Sequence, residues 1–411
     1  KLLPAIGQLR APGLMEKYSR KKIVLTGVKT RIFLWIPMLL AGLLFYLGVP
    51  HMIWALIFFT SIAYMCFPMI KPARFSWMGS LVDEHKRGSY FSKRNRIMVF
   101  AGIITLILGA IILDGFKKLG VILGKEVGIT LLGFGFLFVI AIISKIYSRR
   151  ILKKLYEPKI HIRKKDEFTL RQFIKKLPET PFGRFTLVSS LLSMSLGISS
   201  PFWVVYIIRN LGFSYLWYIA IVVAPMIFQL IFFPFLGRFT DRFGNIRLLK
   251  ISFWFRASIP FLWIASIWVP SPLLLKLYLL IIPSIPSGFS LASNILATNN
   301  YVYDAVKKRK QGYAVAYLSF FLEAGLFVGA SIGSLLVLFN IPFMETILFI
   351  FLISGVLRII VAICGGKYLQ EVRHIKGVHK RALMQEFHPV HGITKEVHHK
   401  ESSGGKIEHY I

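Results

Sequence analysis

The chain has 411 residues, of which 55% are hydrophobic and 15% aromatic, and its mean hydropathy is +0.63. Soluble domains run at roughly 45–50% apolar, so this composition excludes an ordinary soluble protein. The formal net charge of +33 is interleaved with apolar stretches, as where Arg149-Arg150 and Lys153-Lys154 follow one and precede another. No single face is then free to track a phosphate backbone, which argues against nucleic-acid binding.

In chain order, Leu2 to Ile6 read as the cytoplasmic end of a helix whose beginning lies ahead of the sequence. Apolar runs able to cross a hydrocarbon core of about 30 Å as helices follow at 32–47, 52–70, 97–113, 127–146, 185–208, 216–236, 250–269, 277–298, 313–338 and 346–364. They lack the alternation of a membrane barrel, so the expected fold class is an all-α polytopic membrane protein with ten transmembrane helices. Expected divisions are an N-terminal bundle over 1–146, a basic linker with Pro158, Pro178 and Pro181 over 147–184, a six-helix bundle over 185–365 and a tail over 366–411. Cys66 and Cys364 fall in apolar runs and read as free, buried thiols. The tail holds His374, His379, His388, His391, His398, His399 and His409 at irregular spacing, and reads as an unstructured cytoplasmic tail rather than a metal site.

Lysine and arginine concentrate on the cytoplasmic side of membrane proteins. Placing 10–31, 71–96, 147–184, 237–250, 303–312 and the tail in the cytoplasm leaves Lys117, Lys118, Lys125, Arg209 and Lys276 on the other face. The expected location is the inner (plasma) membrane, with the N-terminal end, linker and tail cytoplasmic. The positive charge then serves topology and attraction to anionic headgroups.

The two sides of the linker repeat one another. At an offset of 225, Glu16-Lys17-Tyr18-Ser19-Arg20-Lys21 faces Asp241-Arg242-Phe243-Gly244-Asn245-Ile246, and Arg31 faces Arg256. Arg87-Gly88 lies opposite Lys310-Gln311-Gly312, shifted by one residue. Four spans precede the linker and six follow it, so equivalent halves imply two helices largely missing from the front.

The octet Gly237-Arg238-Phe239-Thr240-Asp241-Arg242-Phe243-Gly244, followed by Arg247, resembles the cytoplasmic-loop motif of the major facilitator superfamily. Pro12, Glu16 and Ser19 stand where the first copy would carry Gly, Asp and Gly. The stretch from Phe75 through Arg87-Gly88-Ser89-Tyr90-Phe91 to Asn95 is similar to a loop in prokaryotic members of that family. The resemblance implies secondary active transport of a small solute by alternating access, either as uniport or coupled to a proton or ion, and no cofactor or metal is expected. It further implies that Glu16 docks at the start of the helix near Gly312 and Asp241 at the start of the helix leading to Ile97. Lys17 and Arg242 would complete ion pairs there, and Arg20, Lys21, Gly237, Gly244, Arg247, Arg87 and Gly88 would form the rest of the gate.

Ionisable residues inside spans are functional candidates. Glu323, flanked by Phe320, Phe321, Ala324 and Gly325, is the clearest, as a pathway or proton-linked carboxylate or a packed acid. Gln229, Asn294, Asn299 and Asn300 either ligate solute or hold helices together. Arg358 is expected to snorkel or meet a carboxylate; Tyr206, Trp203 and Trp217 to anchor at the outer interface; and Gly325, Gly329, Ala330, Gly333 and Ser334 to permit close helix approach. The rival readings are a lipid-linked transferase, an ion channel, and a sensor or receptor on a transporter frame. Short basic loops without clustered carboxylates count against an enzyme, and a repeated charge motif without a pore segment counts against a channel.

Overall fold

The computed structural model describes residues 2–83, 86–158, 169–339 and 344–372; the histidine-rich tail from His374 onward lies outside them. Two short helices, α1 (Leu2–Leu9) and α2 (Ala11–Lys17), precede the first long one. Among the described residues ten helices are long and apolar enough to cross a membrane, matching the ten expected spans. They are α3 (Arg20–Tyr46), α4 (Met52–Ser80), α5 (Arg87–Ile122) and α6 (Glu126–Lys154), then, after the short α7 (Leu170–Lys176), α8 (Pro181–Asn210), α9 (Tyr215–Phe243), α10 (Asn245–Trp268), α11 (Pro272–Ala305), α12 (Gln311–Leu336) and α13 (Thr346–Tyr368). The protein is an all-α, multi-pass membrane protein.

Hydropathy marks only the part of each helix that sits in hydrocarbon, and the helices continue beyond it at their basic ends. Thus α3 begins at Arg20, where Ser19 accepts a capping bond from the Lys22 amide at 3.2 Å. Likewise α6 runs on to Lys154, into the stretch assigned to the linker. Long basic side chains allow this, because their stems lie along apolar surface while the charge reaches the headgroups.

Prolines interrupt the spans where backbone bonds must be given up. Phe67–Met69 is a 3₁₀ turn within α4, Pro225 and Pro234 lie inside α9, and Pro260 lies inside α10. Helices α8 and α13 end in π-turns, at Tyr206–Asn210 and Val361–Gly365. Along the α8–α12 contact, a Cβ at Gly325, Gly329 or Gly333 would collide with the carbonyls of Ser190, Met194 and Ile198. The expected close approach is therefore met by backbone against backbone.

Two expectations fail on burial. Tyr206 is 2% exposed and belongs to an aromatic core in which Trp203 stacks on Phe351 at 4.0 Å and the Tyr206 hydroxyl meets Ser266 at 3.1 Å. These rings fill the bundle because α8, α10 and α13 converge there, and they are not interface anchors. Both cysteines are free, but neither is buried: Cys66 is half-buried and Cys364 exposed.

The repeat extends from sequence into packing. Helices α3 and α10 begin at Arg20 and Asn245, which occupy matching positions at the offset of 225. The Trp77 indole donates to the Tyr156 carbonyl at 2.9 Å, and the Tyr301 hydroxyl donates to the Gln370 carbonyl at 3.0 Å. Glu157 accepts the Lys21 amide at 3.1 Å, and Glu371 accepts the Ile246 amide at 2.8 Å. In each half an acid just past the last helix thus satisfies an orphan first-turn amide of the helix that begins the repeat, where the helix dipole favours negative charge.

Candidate functional site at the basic face between the halves

The site is built where helix ends of one half meet those of the other. Asp241, near the end of α9, points its carboxylate at the start of α5. It accepts the Gly88 amide at 3.1 Å, the Ser89 amide at 3.0 Å and the Ser89 hydroxyl at 2.7 Å. The first-turn amides of α5 have no helical partner, so a carboxylate there gains both hydrogen bonds and the favourable end of the dipole. Gly88 leaves the room: a Cβ would collide with that carboxylate. One turn earlier on α9, Gly237 lies against Ser92, and the Ser92 hydroxyl donates to the Phe233 carbonyl. Gly244 closes the motif at φ +91°, a left-handed conformation that starts α10 at Asn245 and that glycine adopts without strain.

The second contact has the same plan. Glu16 accepts from the Tyr313 hydroxyl, and Met15 lies where a Cβ on Gly312 would have to go. Asp241 therefore sits over the glycine of the opposing helix start while Met15, the neighbour of Glu16, does so in the second contact, and each acid takes a hydroxyl from the residue after that glycine, Ser89 in one case and Tyr313 in the other. Neither hydroxyl was singled out in the sequence, although both follow the glycines that were.

The remaining motif residues divide. Arg20 is buried and donates to the Ser76 carbonyl at 3.0 Å, the Ser80 hydroxyl at 3.3 Å and the Pro158 carbonyl at 2.7 Å, with Glu157 at 3.7 Å. Lys21 donates to the Leu155 carbonyl at 2.7 Å. Arg20 and Lys21 thus bind the N-terminal half to itself rather than to the other half. The structure places Lys17 and Arg247 exposed at the surface. Arg242 lies over the Phe243 ring at 5.3 Å, and Arg87 donates to the Gly79 carbonyl at 3.4 Å beneath the Tyr303 ring.

Tyr303 is the contact the sequence did not announce. It lies on α11 yet inserts into the N-terminal half, stacked on Phe75 at 4.1 Å and on Phe91 at 5.4 Å, with its hydroxyl donating to the Phe75 carbonyl at 3.0 Å. Gly79 gives it space. Truncation of such a ring typically costs about 3–5 kcal/mol. Tyr303→Ala is therefore expected to lower Tm and loosen the contact between the halves, while Tyr303→Phe keeps the stacking and loses only one hydrogen bond of about 1 kcal/mol. Thermal unfolding in detergent with both variants separates the terms, and equal losses in the two would remove the stacking argument.

The glycines give a sharper test. Gly88→Ala forces the Asp241 carboxylate off the helix start, whereas Gly312→Ala meets only the flexible end of Met15. Gly88→Ala should therefore weaken the contact between the halves by about 1–3 kcal/mol, and Gly312→Ala by less. Gly88→Ala should also add nothing to Asp241→Asn in a double-mutant cycle; full additivity would mean the two residues do not share a contact.

Deeper in the membrane, Lys71 on α4 reaches the other half and donates to the Ser319 hydroxyl on α12 at 3.0 Å. Ser319 lies one turn before Glu323, whose negative charge Lys71 faces. Counting along the helices at 1.5 Å per residue, Lys71 lies roughly 14 Å from the Ser80 end of α4 and Glu323 roughly 18 Å from the start of α12. The contact therefore lies several turns inside both helices rather than at their ends, with Lys71 exposed and Glu323 half-buried. Lys71 was counted in sequence as part of a basic loop, because α4 continues ten residues past its apolar run.

The amide candidates are not gathered at Glu323 by any hydrogen bond among the described residues. Gln229 is buried on α9 against the Gly288 contact, Asn294 accepts from Thr298 at 3.3 Å, Asn299 is half-buried, and Asn300 is buried with its carbonyl oxygen unpartnered.

Helices in two repeated halves, clamped reciprocally by acids on helix starts and bridged by charge within the membrane, define a two-bundle transporter fold. A sequence profile described as Major Facilitator Superfamily matches residues 185–397, and the chain belongs to that superfamily. Among solved structures it is similar to a bacterial homologue of the iron transporter ferroportin in an outward-facing state (16% identity, TM-score 0.63, covering 89% of this chain and 88% of that one). It is also similar to the E. coli fucose:proton symporter FucP (15%, 0.64, 89% and 88%) and to the proton:xylose symporter XylE bound to 6-bromo-6-deoxy-D-glucose (14%, 0.65, 90% and 84%). At these identities the likeness is one of fold. Comparison with curated proteins gives no significant match.

Proposed function

We propose that the protein moves a small solute across the membrane by alternating access, and that this structure has its basic, cytoplasmic face closed. The observation that carries the reading is the Asp241 carboxylate on the Gly88 and Ser89 amides. That contact exists only while the ends of α9 and α5 touch, so it stabilises one of two arrangements of the halves and biases the equilibrium between them. Glu16 on Tyr313 does the same at the other helix start. With this face sealed, access would be from the opposite side, as in the outward-facing ferroportin homologue.

In this reading Lys71, Ser319 and Glu323 form the solute or coupling site, because they join the two halves at membrane depth and their charges need a polar partner there. The neighbours set a first panel of fucose, xylose and iron, named for those proteins. The test is uptake of each by the protein in proteoliposomes, with and without a pH gradient. Saturable uptake above protein-free vesicles supports transport. Binding of a panel solute without flux would instead favour a sensor on a transporter frame.

A further inference from the structure

Arg358 does not snorkel, and among the described residues it meets no carboxylate. It is 2% exposed, and its Nη1 donates to the Arg256 carbonyl at 3.1 Å and its Nη2 to the Ser199 hydroxyl at 2.7 Å. The first bond has a local cause. Pro260 has no N–H, so the carbonyl four residues earlier, that of Arg256, lacks its helical donor and Arg358 supplies one. Both acceptors are neutral, and the Arg358 Nε is buried without a partner.

Arg256 itself, half-buried on α10, has a guanidinium with no hydrogen bond, ion pair or ring contact among the described residues, and its charge is the like charge that Arg358 faces. Helices α8, α10 and α13 carry no Asp or Glu, and the one acid of α11, which also packs on α10, is Asp304, held at the far end by the Asn245 amide. Two guanidinium groups inside a membrane bundle without an acid are strongly unfavourable unless something negative joins them. The π-turn of α13 begins at Val361, within one turn of Arg358, and such turns cluster at binding sites.

The other half repeats the arrangement. Arg31 on α3 is the repeat counterpart of Arg256; its Nε is buried and unpartnered, its guanidinium lies 4.7 Å from the Trp35 ring, and Lys145 on α6 faces its charge. A cation pair between the outer helices of both halves is therefore part of the repeated plan.

We propose that the C-terminal half holds an oxyanion, a carboxylate or a phosphate, between the guanidinium groups of Arg256 and Arg358. The planar N–H fork of Arg256 matches paired oxygens, and the unpartnered Nε of Arg358 adds a further donor. The ligand is a free anion or the phosphate of an acidic lipid, two sources with one chemistry. This inference does not depend on alternating access, so failure of the transport reading leaves it standing.

The experiment is thermal unfolding of the full chain in nanodiscs. In phosphatidylcholine discs, inorganic phosphate is titrated at ionic strength held constant with chloride; separate discs contain phosphatidylglycerol. A ligand bound only by the folded state raises Tm in a saturable way. A rise with phosphate that is lost in Arg256→Gln identifies a free oxyanion, and a rise with phosphatidylglycerol lost in the same variant identifies a headgroup. Arg256→Lys keeps the charge without the fork and is expected to fold and to bind at least about tenfold more weakly, the loss of about one charge-assisted hydrogen bond. No rise with either probe, a rise that persists in Arg256→Gln, or wild-type affinity in Arg256→Lys overturns the site.

Discussion

Asp241→Asn is expected to open the basic face and slow transport while leaving membrane insertion unchanged. The carboxylate accepts two helix-start amides and a hydroxyl, and an amide side chain keeps the shape but loses the charge that favours this end of α5. A charge at a helix start is worth about 0.3–1 kcal/mol when exposed and up to ~2 when partly buried, and Asp241 is half-buried. A loss of about 2 kcal/mol shifts the two-state population roughly thirtyfold toward the open arrangement. Spin-label distances between Lys93 and Lys308, exposed residues on opposite halves, should lengthen in the variant, and solute flux in proteoliposomes should fall. An unchanged distance distribution together with wild-type flux would show that the charge fixes topology alone.

How much of this was legible in the sequence depends on the kind of signal. The ten spans were visible because hydrocarbon selects apolar residues over a fixed length, and the motif was visible because Gly237, Asp241 and Gly244 have backbone and charge roles that few residues fill. The direction of Asp241 toward the α5 start came from the resemblance to the superfamily and not from the residues themselves. Ser89, Tyr303 and Tyr313 were not visible, since a hydroxyl or a ring near a helix end has many ordinary uses and only packing selects one. Lys71 was hidden for a related reason: a window average places a lysine next to Pro72 and Arg74 in a loop, whereas α4 continues through it and carries it to Ser319 on α12. Tyr206 erred in the opposite direction, because a ring near an expected membrane boundary reads as an anchor until α10 and α13 are seen to cover it. Of the bases, Lys17 is exposed and Arg242 lies over a neighbouring ring, while Arg87 under Tyr303 and Lys71 on Ser319 reach across the halves.

Glu323→Gln is expected to abolish the response of transport to a pH gradient, and the reason lies in its partner. Among the described residues no carboxylate reaches the Lys71 ammonium directly; it donates to Ser319 and faces the charge of Glu323 across the halves. Removing that charge leaves the ammonium of Lys71, an exposed residue, with only a neutral hydroxyl between the halves, at a loss set by the lost attraction rather than by burial. Glu323→Gln should therefore lower Tm as well as uncoupling flux. Lys71→Met, which strands the acid instead, should do likewise. The double variant should be more stable than either single one, with a coupling energy of about 0.5–3 kcal/mol in a double-mutant cycle, and should remain insensitive to the gradient. Stability alone would not separate a coupling pair from a structural one, so the deciding readout is uptake with and without the gradient. Gradient-driven uptake that survives Glu323→Gln would remove this carboxylate from coupling; additive stability losses in the double variant would show that the two charges do not act on each other.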